Sequence, residues 1–228
     1  MDKQSVRVTL LAMASDLVAS DSELFDSWCC GDTEAGNQLI QRHFDSVYRF
    51  FETKAAGDVD ELVQCTFLSC VQARDQFAKR SSFRTYLFAI ARHQLYRNWR
   101  RQRRGREVLD FGSISVEAMV TTPTGQIARN QDQRRLLRAL CSLPLDQQML
   151  LELHYWEDME IGELAEIFEI AAGAMRARLF RARRALRKRM ETLADAPDLS
   201  HASVEDFETW ARSMRRKRPA VKAASAAE

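Results

Sequence analysis

Eight cations crowd one short stretch of the chain: Arg176, Arg178, Arg181, Arg183, Arg184, Arg187, Lys188 and Arg189, with no acid between Ala172 and Met190. Guanidinium groups bind phosphates and guanine edges in bidentate fashion, so a helix face this rich in arginine suits a DNA groove. A merely solvated face normally mixes signs. Here the acids gather upstream instead, at Glu152, Glu157, Asp158, Glu160, Glu163, Glu166 and Glu169. A second set of residues with chemical capacity lies between Phe83 and Arg104. Rings (Phe83, Tyr86, Phe88, Tyr96, Trp99) alternate there with Arg84, Arg92, Arg97, Arg100 and Arg101. Unpaired bases are held by aromatic stacking beside a cationic track for phosphates, and roughly two of these rings are expected to stand exposed.

Other chemistries find no support. No nucleophile–base pair, phosphate-binding glycine loop or carboxylate dyad stands out, so no catalytic residue is assigned. Cys29, Cys30, Cys65, Cys70 and Cys141 form no paired C-x-x-C pattern and the histidines are scattered, so neither a metal nor another cofactor is expected. No apolar run reaches the length of a membrane span, and Val8–Ala19 is too short and too interrupted for a signal peptide. A cytoplasmic protein is expected. The formal charge of +2 conceals the local basic blocks.

The elements that must position these residues are helices. With 46% hydrophobic residues, eight Gly and four Pro, the composition is globular and helical. Ile161, Leu164, Ala165 and Phe168 follow a helical period, a break falls at Glu169–Gly173, and Met175, Leu179, Ala182 and Leu186 make a narrow stripe on a second helix. Two short helices with a tight turn, the second one basic, predict a helix-turn-helix. Upstream, Pro144 ends one helix (about 126–142) and starts the next (146–156). Nearer the N-terminus, Leu24, Trp28, Leu39, Ile40, Phe44, Val47, Tyr48 and Phe51 predict two helices split at Gly31–Asp32, with Asp32 capping the second. In the following helix Leu62, Phe67 or Thr66, and Val71 are expected to face inward and Asp60, Glu61 and Gln64 outward. Leu87, Ile90, Ala91 and Leu95 should pack. Residues 107–128 lack any period and predict a flexible linker. Residues 1–20 are a loose leading helix or disordered. Phe207, Trp210, Ala211 and Met214 predict a last amphipathic helix before a basic, Ala-rich end.

On these residues, positions 22 to 190 resemble bacterial sigma factors of the extracytoplasmic-function type, in the sigma-70 superfamily. Three motifs carry the resemblance. The first is Gly31-Asp32-x-Glu34-Ala35 with Val47-Tyr48-Arg49-Phe50. The second is Asp60-Glu61-Leu62-Val63-Gln64-x-Thr66-Phe67 with Phe83-x-x-Tyr86-Leu87-x-x-Ile90-Ala91-Arg92. The third is Leu143-Pro144, Glu163-Leu164-Ala165-Glu166-Ile167 and Gly173 through Arg183.

The resemblance implies an all-α fold of two helical bundles joined by a flexible linker. The divisions are a leader (1–20), region two (21–105), the linker (106–127), region four with the helix-turn-helix (128–192), and a C-terminal extension (193–228). It implies a factor that directs core RNA polymerase to promoters and assists their opening. Asp60, Glu61 and Gln64 would meet the clamp helices of the largest polymerase subunit, and the flap of the second subunit would be a further contact. Phe83, Tyr86, Arg92, Arg97, Asn98, Arg100 and Arg101 would hold the unpaired minus-ten strand. Arg176, Arg178, Arg181 and Arg183 would meet the minus-thirty-five duplex. An anti-sigma partner is also implied. Against the family pattern, Tyr86 replaces a Trp, His93 an Asn, and Glu169 a turn Gly that favours a left-handed conformation; Ala174 and Ala177 replace hydroxyl residues, so promoter preference is not inherited. The alternatives are a helix-turn-helix regulator acting without polymerase, and a helical protein whose basic faces meet an acidic protein.

Overall fold

A computed structural model describes residues 19–55, 59–102 and 131–193 of the 228-residue chain. The expected leader helix, the linker and the C-terminal helix lie outside the described residues or almost wholly so. Every described element is helical. The first group is α1 (Asp21–Cys29), α2 (Thr33–Glu52), α3 (Val59–Gln72), a 3-10 turn (Arg74–Gln76) and α4 (Phe83–Gln102). The second is α5 (Gln131–Cys141), α6 (Leu145–Tyr155), α7 (Ile161–Ile167) and α8 (Ala172–Thr192). These are the two helical bundles that the sequence predicts.

Local chemistry sets the helix boundaries. Ser20 and Glu23 cap α1 reciprocally, the Ser20 hydroxyl accepting from the Glu23 amide while the Glu23 carboxylate accepts from the Ser20 amide at 2.7 Å. Asp32 caps α2 as expected, its carboxylate accepting from the amides of Glu34 and Ala35 at 2.9 and 3.1 Å. Between those helices Gly31 adopts φ +102°, a turn that side chains resist. Gly36 is also required, since a Cβ there would sit 2.6 Å from the Trp28 indole. Pro144 separates α5 from α6 and precedes the first residue of α6.

The first group packs α1 on α2, α2 on α3 and α3 on α4, around Phe25, Leu39, Phe51, Leu87, Phe88 and Leu95. In the second group α8 lies across α5, α6 and α7, burying Met175, Leu179, Ala182, Leu186 and Met190. One inward expectation is corrected. Val71 is 42% exposed, while Cys70 and Thr66 turn into the core, Thr66 donating to the Leu62 carbonyl at 2.7 Å. The register of α3 therefore follows Leu62, Val63, Thr66, Phe67 and Cys70, a stripe with helical spacing that excludes Val71.

The two groups do not stand apart. α4 packs on α7, and a single apolar core runs through both.

Candidate nucleic-acid interface

α7 and α8 form the helix-turn-helix. The turn between them is Phe168–Ala171, and Glu169 holds φ +57°, the left-handed conformation expected from its glycine-like position. With the apolar stripe of α8 buried, Arg176 and Arg181 stand on its exposed side, the Arg181 Nε donating to the Ala177 carbonyl one turn back at 3.3 Å. Phe180, a residue the sequence reading did not single out, is 65% exposed on the same helix. Arg178 is half-buried, with Nη1 3.9 Å from the Asp146 carboxylate. Arg183 is placed differently. Its guanidinium lies 5.5 Å from the Tyr155 ring centre and within 3.1 Å of His154 Nε2, against α6 and away from the exposed arginines.

In α4 the ring expectation is corrected. Phe83, Phe88, Tyr96 and Trp99 are buried and Tyr86 is half-buried. Phe83 fills the core against Phe25 and His43, and the Trp99 indole donates to the Lys54 carbonyl at 3.0 Å. Tyr86 stacks on Phe77 with centroids 4.5 Å apart, and its hydroxyl donates to the Ala73 carbonyl at 3.2 Å. Burial pushes the Tyr86 phenol up, with the neighbouring Cys70 adding to it. Four of the five rings are thus spent on packing.

The cations of α4 divide between its two sides. Toward α3, Arg97, Asn98, Arg100 and Arg101 line a groove of about 460 Å³ together with Glu61, Leu62, Cys65 and Leu68. Glu61 pairs with Arg101 at 3.2 Å, and Asn98, though buried, accepts from Arg101 at 3.3 Å. Asp60 and Gln64 are exposed on the same helix as Glu61. The groove thus joins a residue expected to meet polymerase with four expected to meet DNA.

Toward the second group, Arg92 donates to the Ile167 carbonyl at 3.2 Å and lies 5.0 Å from the Phe168 ring. Arg84 reaches the Glu157 carboxylate at 2.9 Å and also its carbonyl. His93 meets Glu169 at 3.3 Å. The Tyr96 hydroxyl donates to Asp146, and burial followed by that carboxylate pushes its pKa well above the usual phenol value. Glu163 accepts from the Glu160 amide at 2.9 Å, capping α7, and from Thr85 at 3.1 Å. Lys54, just beyond α2, is fully buried on Glu152. The acid run upstream of the helix-turn-helix is therefore largely an internal partner for the first group. Its segregation from the arginines was legible in the sequence; its target was not.

Cys65 lines the groove, and the other cysteines lie outside it. Burial pushes the Cys70 thiol up to about 12, which leaves it protonated and inert. Cys29 is raised for the same reason. Among the described residues no three His, Cys, Asp or Glu side chains come together as metal ligands, and no helix is long and apolar enough to cross a membrane.

Comparison with known proteins gives a consistent result. Residues 39–105 match the Sigma-70 region 2 model and residues 133–186 the Sigma-70, region 4 model, together a little over half of the chain. The ECF RNA polymerase sigma-E factor of Escherichia coli K12 is 27% identical over 172 residues, covering 72% of this chain and 90% of its own length. Its Haemophilus influenzae namesake is 25% identical over 185 residues, covering 76% and 97%. Among solved structures, CnrH in complex with the cytosolic domain of CnrY superposes with a TM-score of 0.57 at 22% identity, over 76% of this chain and 99% of that one. The sigma factor RpoE of Bartonella quintana, solved with the anti-sigma factor NepR, gives 0.53 at 20% identity, over 70% and 98%.

Proposed function

This chain belongs to the sigma-70 family, in its extracytoplasmic-function type, and we propose a division of labour among its surfaces. A sigma factor directs core RNA polymerase to promoters and recognises their DNA. The unit of residues 21–105 would serve as region two and that of 128–192 as region four, with 106–127 between them. The exposed face of α8, at Arg176, Arg181 and the flanking Arg178, would meet the minus-thirty-five duplex. Bidentate arginine contacts there combine base reading with phosphate anchoring. Arg183 would act one step back, bracing α8 on His154 and Tyr155.

In region two the groove beside α3 is the proposed path of the unpaired minus-ten strand, along Arg97, Arg100 and Arg101. Arg92 would join it from the other side of the helix. Phe83, Asn98 and Tyr86 would support this path, holding α4 in place from within. Asp60, Glu61 and Gln64 would bind the polymerase clamp, with the flap contacting region four. The factor acts in the cytoplasm and lends specificity to the polymerase without catalytic residues of its own. An anti-sigma partner is proposed too, on the likeness to the Bartonella quintana complex.

The observation that carries this reading is the exposed arginine face of α8, held on a buried stripe in a chain whose two modules match sigma regions two and four. Co-purification with core RNA polymerase tests it. Wild type should associate, an Asp60→Ala/Glu61→Ala variant should associate more weakly, and an Arg176→Ala/Arg178→Ala variant should bind polymerase normally yet lose promoter occupancy. No association by wild type at low salt would leave a duplex-binding regulator as the better account.

A further inference from the structure

We propose that His154, held as the neutral Nδ1–H tautomer, is the positioning residue that seats the recognition helix α8 on α6, and that duplex reading is lost when this ring takes up a second proton. This role rests on the sigma reading above and concerns how the second module aims α8.

The two ring nitrogens have partners of opposite kind. Nδ1 lies 2.9 Å from the Met159 carbonyl, which can only accept, so Nδ1 carries the hydrogen. Nε2 lies 3.1 Å from Nη2 of Arg183, whose guanidinium can only donate, so Nε2 keeps its lone pair. One neutral tautomer satisfies both contacts. The other would set two donors together at Arg183 and two acceptors together at Met159. The imidazolium would keep the Met159 contact but would turn an N–H and a second positive charge toward Arg183.

Charges on the surrounding elements do not reverse that sign. On α6 and the loop after it, Glu152 is engaged by Lys54 and Thr53, and Glu157 by Arg84 and Arg49. Asp158 and Glu160 are exposed, where solvent screens them. On α7 Glu163 accepts from Thr85 and the Glu160 amide. On α8 Arg187 follows Arg183 by one turn and is also a cation. The Tyr155 ring stands edge to face with the imidazole at 4.8 Å and lies 5.5 Å from the Arg183 guanidinium. At hydrogen-bond distance, Arg183 outweighs the screened carboxylates.

Arg183 bears on reading through its place on α8. It follows Arg176 by seven residues and Phe180 by three, so the three lie along one flank of the helix. The rotation of α8 that lays Arg183 on His154 therefore also presents Arg176 and Phe180 to solvent. The apolar stripe from Met175 to Met190 selects the buried side of α8, and burial is not directional. A hydrogen bond is directional, so the His154 contact fixes the rotation within that side.

The sign of the pH dependence follows. A seat that penalises the imidazolium contributes fully above the titration of the ring and is lost as the pH falls through it. A free imidazole titrates near about 6.5, so about nine rings in ten are protonated one unit lower.

The experiment uses the full chain on core RNA polymerase. Its probe is a DNA duplex that the wild-type holoenzyme selects from a randomised pool at about pH 8. Between about pH 8 and about pH 5.5, wild-type affinity should fall roughly tenfold more than that of His154→Gln, whose side-chain oxygen still accepts from Arg183 without titrating. At the upper pH His154→Gln should bind like wild type, and His154→Leu should bind several-fold more weakly at both values. The remaining histidines are common to all three proteins, so their titration cancels. Nitrogen NMR of the free wild-type chain, with the His154 signals identified by their loss in His154→Gln, should show the Nδ1–H tautomer at the upper pH. An Nε2–H or doubly protonated ring there, equal acid limbs in wild type and His154→Gln, or an affinity that rises in acid would overturn the proposal. If His154→Leu does not fold by circular dichroism, the glutamine variant and the tautomer still decide. Failure of the wild-type chain to bind polymerase would sink the sigma reading instead, while the tautomer in the free chain would still judge the seat.

Discussion

The two sides of α4 carry similar residues in opposite settings. Toward the second module Arg84, Arg92 and Tyr96 are partly or wholly buried, and each meets a carboxylate or carbonyl from a distant part of the chain. Toward α3, Arg97, Arg100 and Arg101 stand exposed on an open groove. The difference lies in what surrounds the residues, because arginine is charged in both places. Dry cations need dedicated partners and so define a fixed contact. Wet cations are held loosely and remain available to an incoming polyanion.

The strongest way to break this contrast is Glu152→Ala. Lys54 would be left charged and buried without its partner, a loss of about 3–5 kcal/mol that thermal or urea unfolding would register. The apolar double replacement Lys54→Met/Glu152→Leu should recover most of that loss. Equal stability of the single variant and wild type would mean that the Lys54–Glu152 pair is hydrated in solution.

A second, smaller effect concerns the floor on which α4 rests. The Asp21 carboxyl is held below its usual 3.8 by the His43 hydrogen bond first and by Arg42 next, against an opposing effect of burial. A carboxylate with a lowered folded value contributes stability above its unfolded value and loses it as the pH falls through the folded one. Stability should therefore decline below about pH 4, and Asp21→Asn should flatten that decline in acid titrations followed by circular dichroism. An unchanged acid limb would assign the sensitivity to other carboxylates.

The smallest effect belongs to the groove. Glu61→Ala removes an ion pair whose partners are each about half exposed, so the change in stability should be at most about 1 kcal/mol. The variant should nonetheless weaken polymerase association. A large stability loss here would show that the groove is structural, and the contrast between the two sides would disappear.

Much of this was legible before the structure. The Asp32 cap, the Pro144 break and the stripe of α8 follow from local rules that depend on neighbours in sequence, and the left-handed Glu169 follows from the family resemblance. The same rules failed at Val71, where two helical registers were open and packing chose the one through Cys70. They also failed for the rings of α4. Composition can recognise a mixture of aromatic and basic residues, but it cannot say which rings a core will claim.

The sequence alone determined the helices, their caps, the helix-turn-helix and the separation of acids from arginines, because each depends on residues within a few turns of one another. Only the tertiary structure decided where the acids point. Lys54 and Glu152, like Arg84 and Glu157 or Tyr96 and Asp146, are brought together by the packing of two modules. No periodicity encodes such a pairing. It exists because burial leaves each charge or hydroxyl in need of a partner, and the fold places that partner across the seam.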